Sequence, residues 1–411
     1  MVAGTERWLP GSATADSKRL LVTHALRGLG DGAVSVILPS YLVGIGFSAL
    51  QVSAIVFGTL LGSALLTLWV GLATDRLGRR RVLMSACILM LATGLGFASV
   101  TGFWSLFTIA VVGTLNPSSG DVSLFLPVEH ASLSQTTPVR DLTRMFALYN
   151  VAGAMSGAVG ALMSAMPALL ARRFGCDLAS AQRAGFFAYA MLSMTALFVY
   201  WGLTPAIEAE KEERTRRALE KSRAIVARLS ILFSLDSLGG GFVIQSLLAL
   251  WLFRRYQISP GMAGAFFFAA GLLGSLSQFV SSALANRFGR INTMVFTHIP
   301  SNVFLILAAV MPSAVCAMSL LLARFSISQM DVPARQSYVM AMVPPEERAG
   351  AASVTNVPRS LASALAPLPA GMMLERSTFG WPLICAGVLK IAYDFLLLAQ
   401  FRALKPADET H

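Results

Sequence analysis

Nine charged side chains inside long apolar stretches of this sequence are candidates for chemistry: Arg27, Asp31, Asp121, Asp236, Arg324, Asp331, Arg359, Lys390 and Asp394; Arg335 also falls within such a stretch. An ionised group at the centre of a bilayer costs about 2.5–3.5 kcal/mol on the insertion scale, so each needs a compensating partner or a function. A carboxyl in such a place can take up and release a proton, and a guanidinium can hold an anion. Arg27 and Asp31 are four residues apart and share a helical face, as do Lys390 and Asp394, which are expected to neutralise each other.

Other chemistries find little support. The four cysteines (Cys87, Cys176, Cys316, Cys385) lack disulfide or zinc spacing, and His24, His130, His298 and His411 form no metal-binding pattern, so neither metal nor cofactor is expected. Gly28-Leu-Gly30-Asp31-Gly32-Ala33 has the letters of a dinucleotide fingerprint, but it lies within an apolar run and follows no strand. The chain contains no Gly-Lys dipeptide, which excludes a phosphate-binding loop for ATP-driven work. A membrane enzyme would have to be built around Glu129, His130 and Asp121, and no enzyme is expected.

The elements that hold these residues follow from composition. With 55% hydrophobic residues, 13% charged residues and a mean hydropathy of +0.66 over 411 residues, the chain suits a lipid solvent better than water. Twelve apolar runs of spanning length are predicted, at 20–44, 50–73, 82–100, 104–128, 143–170, 184–203, 229–252, 259–283, 291–312, 313–341, 350–374 and 379–402. Only Met311-Pro312-Ser313 separates the ninth run from the tenth. This predicts an all-α integral membrane protein with a tail at 1–19, a six-helix bundle at 20–203, a linker at 204–228, a second bundle at 229–402 and a tail at 403–411. The polar start, Met1 to Lys18, does not resemble a cleavable signal.

Net basic charge, with 32 Lys and Arg against 21 Asp and Glu, raises nucleic-acid binding as a reading, but placement argues for topology instead. If both termini are cytoplasmic, the inner segments hold most of the basic residues, including the linker run EAEKEERTRR, and the outer ones only Arg172, Arg173, Arg183, Arg254, Arg255 and Arg376. No nucleic-acid partner is expected.

The two halves also match each other. Leu29-Gly30-Asp31-Gly32 precedes Leu238-Gly239-Gly240-Gly241 by 209 residues, Ala73–Arg79 precedes Leu284–Arg290 by 211, and Pro127, Asn150 and Val151 precede Pro333, Asn356 and Val357 by 206. Six runs in the same order on each side predict parallel duplication about an axis along the membrane normal. The duplicated Asn150 and Asn356 suit helix capping or interhelical hydrogen bonding.

Gly71-Leu-Ala-Thr-Asp75-Arg76-Leu-Gly78-Arg79-Arg80-Arg81, with its echo Ala285-Asn286-Arg287-Phe288-Gly289-Arg290, resembles the loop signature of the major facilitator superfamily. The resemblance covers roughly 20–402 and implies alternating access by a secondary transporter. It implies that Gly71, Asp75, Arg76, Gly78 and Arg79 form a cytoplasmic cluster that stabilises an outward-facing state; Glu129 is the expected partner of Arg79. It also implies that spans one, four, seven and ten line the cavity, which hold six of the nine embedded charges.

Asp31 and Asp236 are therefore candidates for coupling, with structural pairing as the alternative, and Arg27 with Asp236 is a possible pair across the halves. Gly153-Ala-Met-Ser-Gly157-Ala-Val-Gly160 resembles the signature of drug:proton antiporters, with Ala158 where that signature has proline. The expected function is proton-coupled efflux of a small organic solute, and the alternative is proton symport of a small organic anion, for which Arg27, Arg324 and Arg359 speak. The expected setting is the plasma (inner) membrane, as a monomer.

Overall fold

The structure, a computed structural model, describes residues 10–118, 123–208, 222–344 and 348–401. Among them every regular element is helical. The first half contains α1 (Ala15–Gly44), α2 (Ala49–Leu77), α3 (Arg79–Ser99), α4 (Phe103–Val112), α5 (Phe125–Thr136), α6 (Val139–Met163), α7 (Met166–Phe174) and α8 (Leu178–Trp201), then a 3-10 turn at Pro205–Ile207. The second contains α9 (Arg223–Gly241), α10 (Gln245–Tyr256), α11 (Pro260–Phe288), α12 (Arg290–Val310), α13 (Ala314–Ser328), α14 (Asp331–Met342), α15 (Arg348–Leu365), α16 (Pro367–Arg376) and α17 (Trp381–Phe401).

Ten stretches among the described residues are long and apolar enough to cross a membrane. Met311–Ser313 is a break between α12 and α13, so the ninth and tenth runs are separate helices. The runs expected at 104–128 and 350–374 are absent from the ten, because neither is one continuous apolar helix. α4 stops at Val112; Asn116-Pro117 follows, and proline both lacks a donor and pushes the residue before it out of helical geometry. The other run is divided at Ala366 into α15 and α16, with Pro367 opening the second piece.

The chain forms two compact units, one of Met1–Phe47, Gly58–Glu213 and Pro260–Phe268, the other of Ser48–Phe57, Arg214–Ser259 and Ala269–His411. The second unit thus includes the first turns of α2, where the Leu50 N–H donates to the Glu375 carboxylate at 3.1 Å. The first includes the start of α11, where Ser164 Oγ donates to the Pro260 carbonyl at 3.2 Å.

Inside the first unit α1 packs on α6 and α8, and α3 on α8; inside the second α9 packs on α15 and α17, and α12 on α17. Lipid tails are as apolar as leucine, so such pairs depend on close fit. A Cβ on Gly32 would stand 2.0 Å from the Gly157 carbonyl oxygen, and one on Gly241 2.2 Å from that of Ser363, so only glycine allows these crossings. The glycine-rich stretch of α6 is accordingly a packing surface against α1.

Regularities recur at the offset of 211 residues seen in the sequence. α2 and α11 both have 29 residues, and α3 and α12 both have 21. Gly78 and Gly289, each just before the second helix of its pair, have φ of +84° and +83°, a turn that a side chain would strain.

Candidate functional site

Among the described residues two clusters of buried charge stand out, one in each unit. In the first, Glu129 of α5 is fully buried. Arg27 of α1 meets it with Nη2 at 2.5 Å from Oε2 and Nη1 at 2.8 Å from Oε1. The hydroxyls of Tyr149 and Tyr200 donate to the same carboxylate at 2.5 Å each, and Thr23 Oγ1 donates at 3.2 Å. His24 stacks on Tyr149 with centroids 3.7 Å apart, and the Arg27 guanidinium lies 4.0 Å above the Phe125 ring. A buried ion pair is tolerated when hydrogen bonds satisfy its remaining lone pairs and protons, as they do here.

The expected pairing of Glu129 with Arg79 is therefore replaced. Arg79 instead donates from Nη1 to the Ile207 and Ala131 carbonyls, at 2.7 and 3.2 Å. The backbone N–H groups of Arg79 and Arg80 donate to the two oxygens of Glu208, at 2.7 and 3.1 Å. A carboxylate there satisfies orphan donors and complements the positive end of the α3 dipole. Glu208, at the edge of the linker, was hidden in the sequence among solvated charges. The side chains of Gly71, Asp75 and Arg76 lie outside the described residues.

One turn above Arg27, Asp31 faces elsewhere. Its Oδ2 lies 3.5 Å from Asn116 Nδ2, and among the described residues it makes no ion pair. Asn116 sits in the break after α4, where its Oδ1 accepts from the N–H and hydroxyl of Ser118 at 3.0 and 2.8 Å. Arg followed by Asp four residues later is the less favourable order for a helical pair, and Glu129 competes for Arg27. Asp121 lies outside the described residues.

In the second unit Asp236 of α9 is the hub. Lys390 Nζ of α17 lies 2.6 Å away, Arg335 Nη1 of α14 3.1 Å away, and His298 Nε2 of α12 3.7 Å away. Arg335 also pairs with Asp331 at 3.4 Å, and His298 Nδ1 meets Asp394 of α17 at 2.9 Å. Lys390 and Asp394 thus bind other helices rather than each other, again the less favourable helical order. Arg27 and Asp236, expected as a pair across the halves, each have partners inside their own unit.

The remaining candidates are scattered. Arg324 of α13 is nine-tenths buried beside Phe325, its Nε without a hydrogen-bond partner among the described residues. Arg359 donates to Ser237 Oγ at 3.1 Å and to Asn356 Oδ1 at 3.2 Å, so Asn356 serves its own helix rather than a neighbour; Asn150 is exposed on α6. Sequence reasoning missed His24, Tyr149, Tyr200, His298 and Arg335 as members of these clusters. For Arg335 a signal existed in its i, i+4 spacing from Asp331.

Helices of membrane-crossing length and apolarity define a multi-pass membrane protein, and the family it belongs to is one of secondary transporters. The chain belongs to the Major Facilitator Superfamily, whose family model matches residues 20–367 and again 229–410. It is 24% identical over 426 residues to an uncharacterized membrane protein of Saccharomyces cerevisiae, covering 95% of this chain and 94% of that one. Among solved structures it is similar to a mutant form of the nucleoside transporter NupG, with a TM-score of 0.73, 14% identity and coverage of 94% of this chain and 99% of the other. A D-xylose-proton symporter gives a TM-score of 0.73 at 14% identity, with 92% and 97% covered.

Proposed function

We propose that this chain exchanges protons for a small organic solute by alternating access, exporting the solute, with twelve spans in two six-helix repeats, both termini cytoplasmic, as a monomer in the plasma membrane. The observation that carries the coupling is the contrast among embedded acids. Glu129, Asp236 and Asp394 are each held by a cation or an imidazole, whereas Asp31 meets the neutral amide of Asn116. Arg27, one turn away on the same helix, is near enough to be felt but is held by Glu129, and a carboxyl outside ion-pair contact can change protonation without breaking a pair, which a transport cycle requires of its coupling site.

A second reading is symport of a proton with a small organic anion. It is favoured by Arg324, a buried guanidinium with an unsatisfied Nε, which offers a directed donor to a carboxylate or phosphate. Export is supported by the α6 stretch that resembles the antiporter signature.

Proteoliposomes with an imposed pH gradient separate the two readings. Under exchange, an acidic lumen drives solute inward; under symport, it drives solute out. Asp31→Asn should abolish gradient-driven accumulation while sparing counterflow, which needs only alternating access. Accumulation at the wild-type level in that variant would end the assignment of coupling to Asp31.

A further inference from the structure

A recess of about 500 Å³ opens in the first unit between the turn from α2 to α3 and the segment that follows α8. Leu77, Met84 and Pro205 give it apolar walls, and Arg80, Arg81 and Glu208 supply its charges. Its place in the chain is a boundary between lipid and water, because stretches able to cross a membrane begin at Arg79 and end at Trp201. Arg80 joins these two ends by donating from Nη2 to the Trp201 carbonyl. Trp201 itself is exposed, and tryptophan is a side chain that settles at the headgroup layer.

The charges in the recess do not cancel. Glu208 accepts from the backbone N–H groups of Arg79 and Arg80, so its carboxylate is engaged by the start of α3 rather than by a guanidinium. Arg81 is exposed and makes no ion pair among the described residues. Arg80 Nε is buried without a hydrogen-bond partner among them, a costly state that an acceptor entering beside it would end. Two guanidinium groups against one engaged carboxylate leave a site of net positive charge, and guanidinium geometry suits phosphate oxygens.

Beyond the recess the exposed surface turns apolar. Arg81, Ser85 and Ile88 stand at i, i+4 and i+7 on α3 and are all exposed, so they form one outward stripe. α8 packs against α3 in the opposite direction, since Arg80 meets Trp201 and the Ser193 hydroxyl donates to the Cys87 carbonyl at 2.7 Å. One turn before Trp201, Phe198 is exposed as well. Ile88 and Phe198 thus carry the outward surface away from the guanidinium groups and along the two spans. A soluble anion gains nothing from such a surface, whereas an acyl chain does.

We propose that this recess binds one anionic phospholipid, with its phosphate between Arg80 and Arg81 and an acyl chain along Ile88 and Phe198. None of these residues belongs to the buried cluster around Glu129. The site rests on neither the direction nor the coupling of transport. Its occupancy braces the corner at which Glu208 clamps the start of α3.

The test is native mass spectrometry of the purified full-length protein in detergent, with dioleoylphosphatidylglycerol or dioleoylphosphatidylcholine added at equal concentration. The wild type should hold its first phosphatidylglycerol more tightly than its first phosphatidylcholine. Arg81→Gln should weaken that first binding about fivefold, the effect of one basic charge at a membrane surface. Arg173→Gln, exposed on α7 near the other end of α8, should leave it unchanged. Equal retention of the two lipids, or phosphatidylglycerol binding unmoved by Arg81→Gln, overturns the proposal. Glycerol 3-phosphate, which has the phosphate without the chains, should not displace the bound lipid at matched concentration; displacement would assign the recess to a free anion and overturn the lipid as its occupant. The wild-type comparisons need no variant, so poor folding of Arg81→Gln would not shield the proposal from them.

Discussion

Replacing Glu129 by Gln tests whether the buried pair with Arg27 organises the first unit. Glu129 is fully buried and accepts two hydrogen bonds from Arg27, one from each of two tyrosines and one from Thr23. The amide keeps the volume but replaces one acceptor oxygen by a donor, which then faces the guanidinium or a tyrosine hydroxyl. The Arg27 charge is left buried without compensation, a change that costs about 3–5 kcal/mol. Arg27→Met added to Glu129→Gln removes the stranded cation, so the double variant should recover much of that loss, with a coupling energy of about 3 kcal/mol.

Arg79→Met supplies the control, because Arg79 binds the carbonyls of Ala131 and Ile207 and not Glu129. Its coupling to Glu129→Gln should stay near ~0.5 kcal/mol. The assay is equilibrium unfolding by SDS titration in mixed micelles for the singles and doubles. Loss of less than about 1 kcal/mol in Glu129→Gln, well under the expected cost of a stranded charge, would refute the reasoning. So would a larger coupling to Arg79 than to Arg27.

Glu208→Gln should lower the solute flux rate in proteoliposomes while leaving solute affinity within a few fold, because it weakens the clamp on the α3 N-terminus without touching the buried clusters. Asp75→Ala should have the same signature, and loss of binding with an intact conformational cycle would count against both. Gly32→Leu should abolish the monodisperse peak in detergent chromatography, since its Cβ would meet the Gly157 carbonyl, whereas Gly44→Ala, with nothing within 4 Å, should leave the peak unchanged. Reporters fused after residue 215 and at the C-terminus should both read as cytoplasmic, and an external C-terminal signal would overturn the twelve-span topology.

Much of the helical framework was legible because apolar runs, Gly-Arg turns and steady offsets are local in sequence. Equal helix lengths on either side of Gly78 and Gly289 reflect the same 211-residue offset that the motif showed. Partner choice was not legible, because it depends on how helices far apart in sequence are rotated against each other. Arg27 and Asp31 share a face by spacing, yet Glu129 sits at the bottom of that face and captures the arginine. Histidines were weighed only as metal ligands or as part of an enzyme site, and tyrosines not at all, because nothing local marks either as a hydrogen-bond donor to a distant acid. The Asn116-Pro117 signal was present in the sequence, but the apolar run around it concealed the helix break that brings an amide to Asp31.

The offsets of 209 and 206 residues carry Arg27 and Glu129 onto Asp236 and Arg335. Those two are themselves a buried pair, with an Nη1–Oδ2 distance of 3.1 Å. The same two positions are therefore bonded in each unit with the signs of charge reversed. If polarity at these positions were what bound a solute or moved a proton, reversal would change the chemistry of the two units; if the pair exists to hold its helices together, either order serves. Under the proposed duplication the reversal favours the second, and Arg27, Glu129, Asp236 and Arg335 are accordingly proposed as positioning residues. Asp31 has no such counterpart, because the 209-residue offset places Gly240 there. If the two halves are the proposed repeats, an embedded acid that the other half does without is not explained by the needs of a common scaffold, and this is why the proposed coupling is assigned to Asp31 rather than to the better-bonded Asp236.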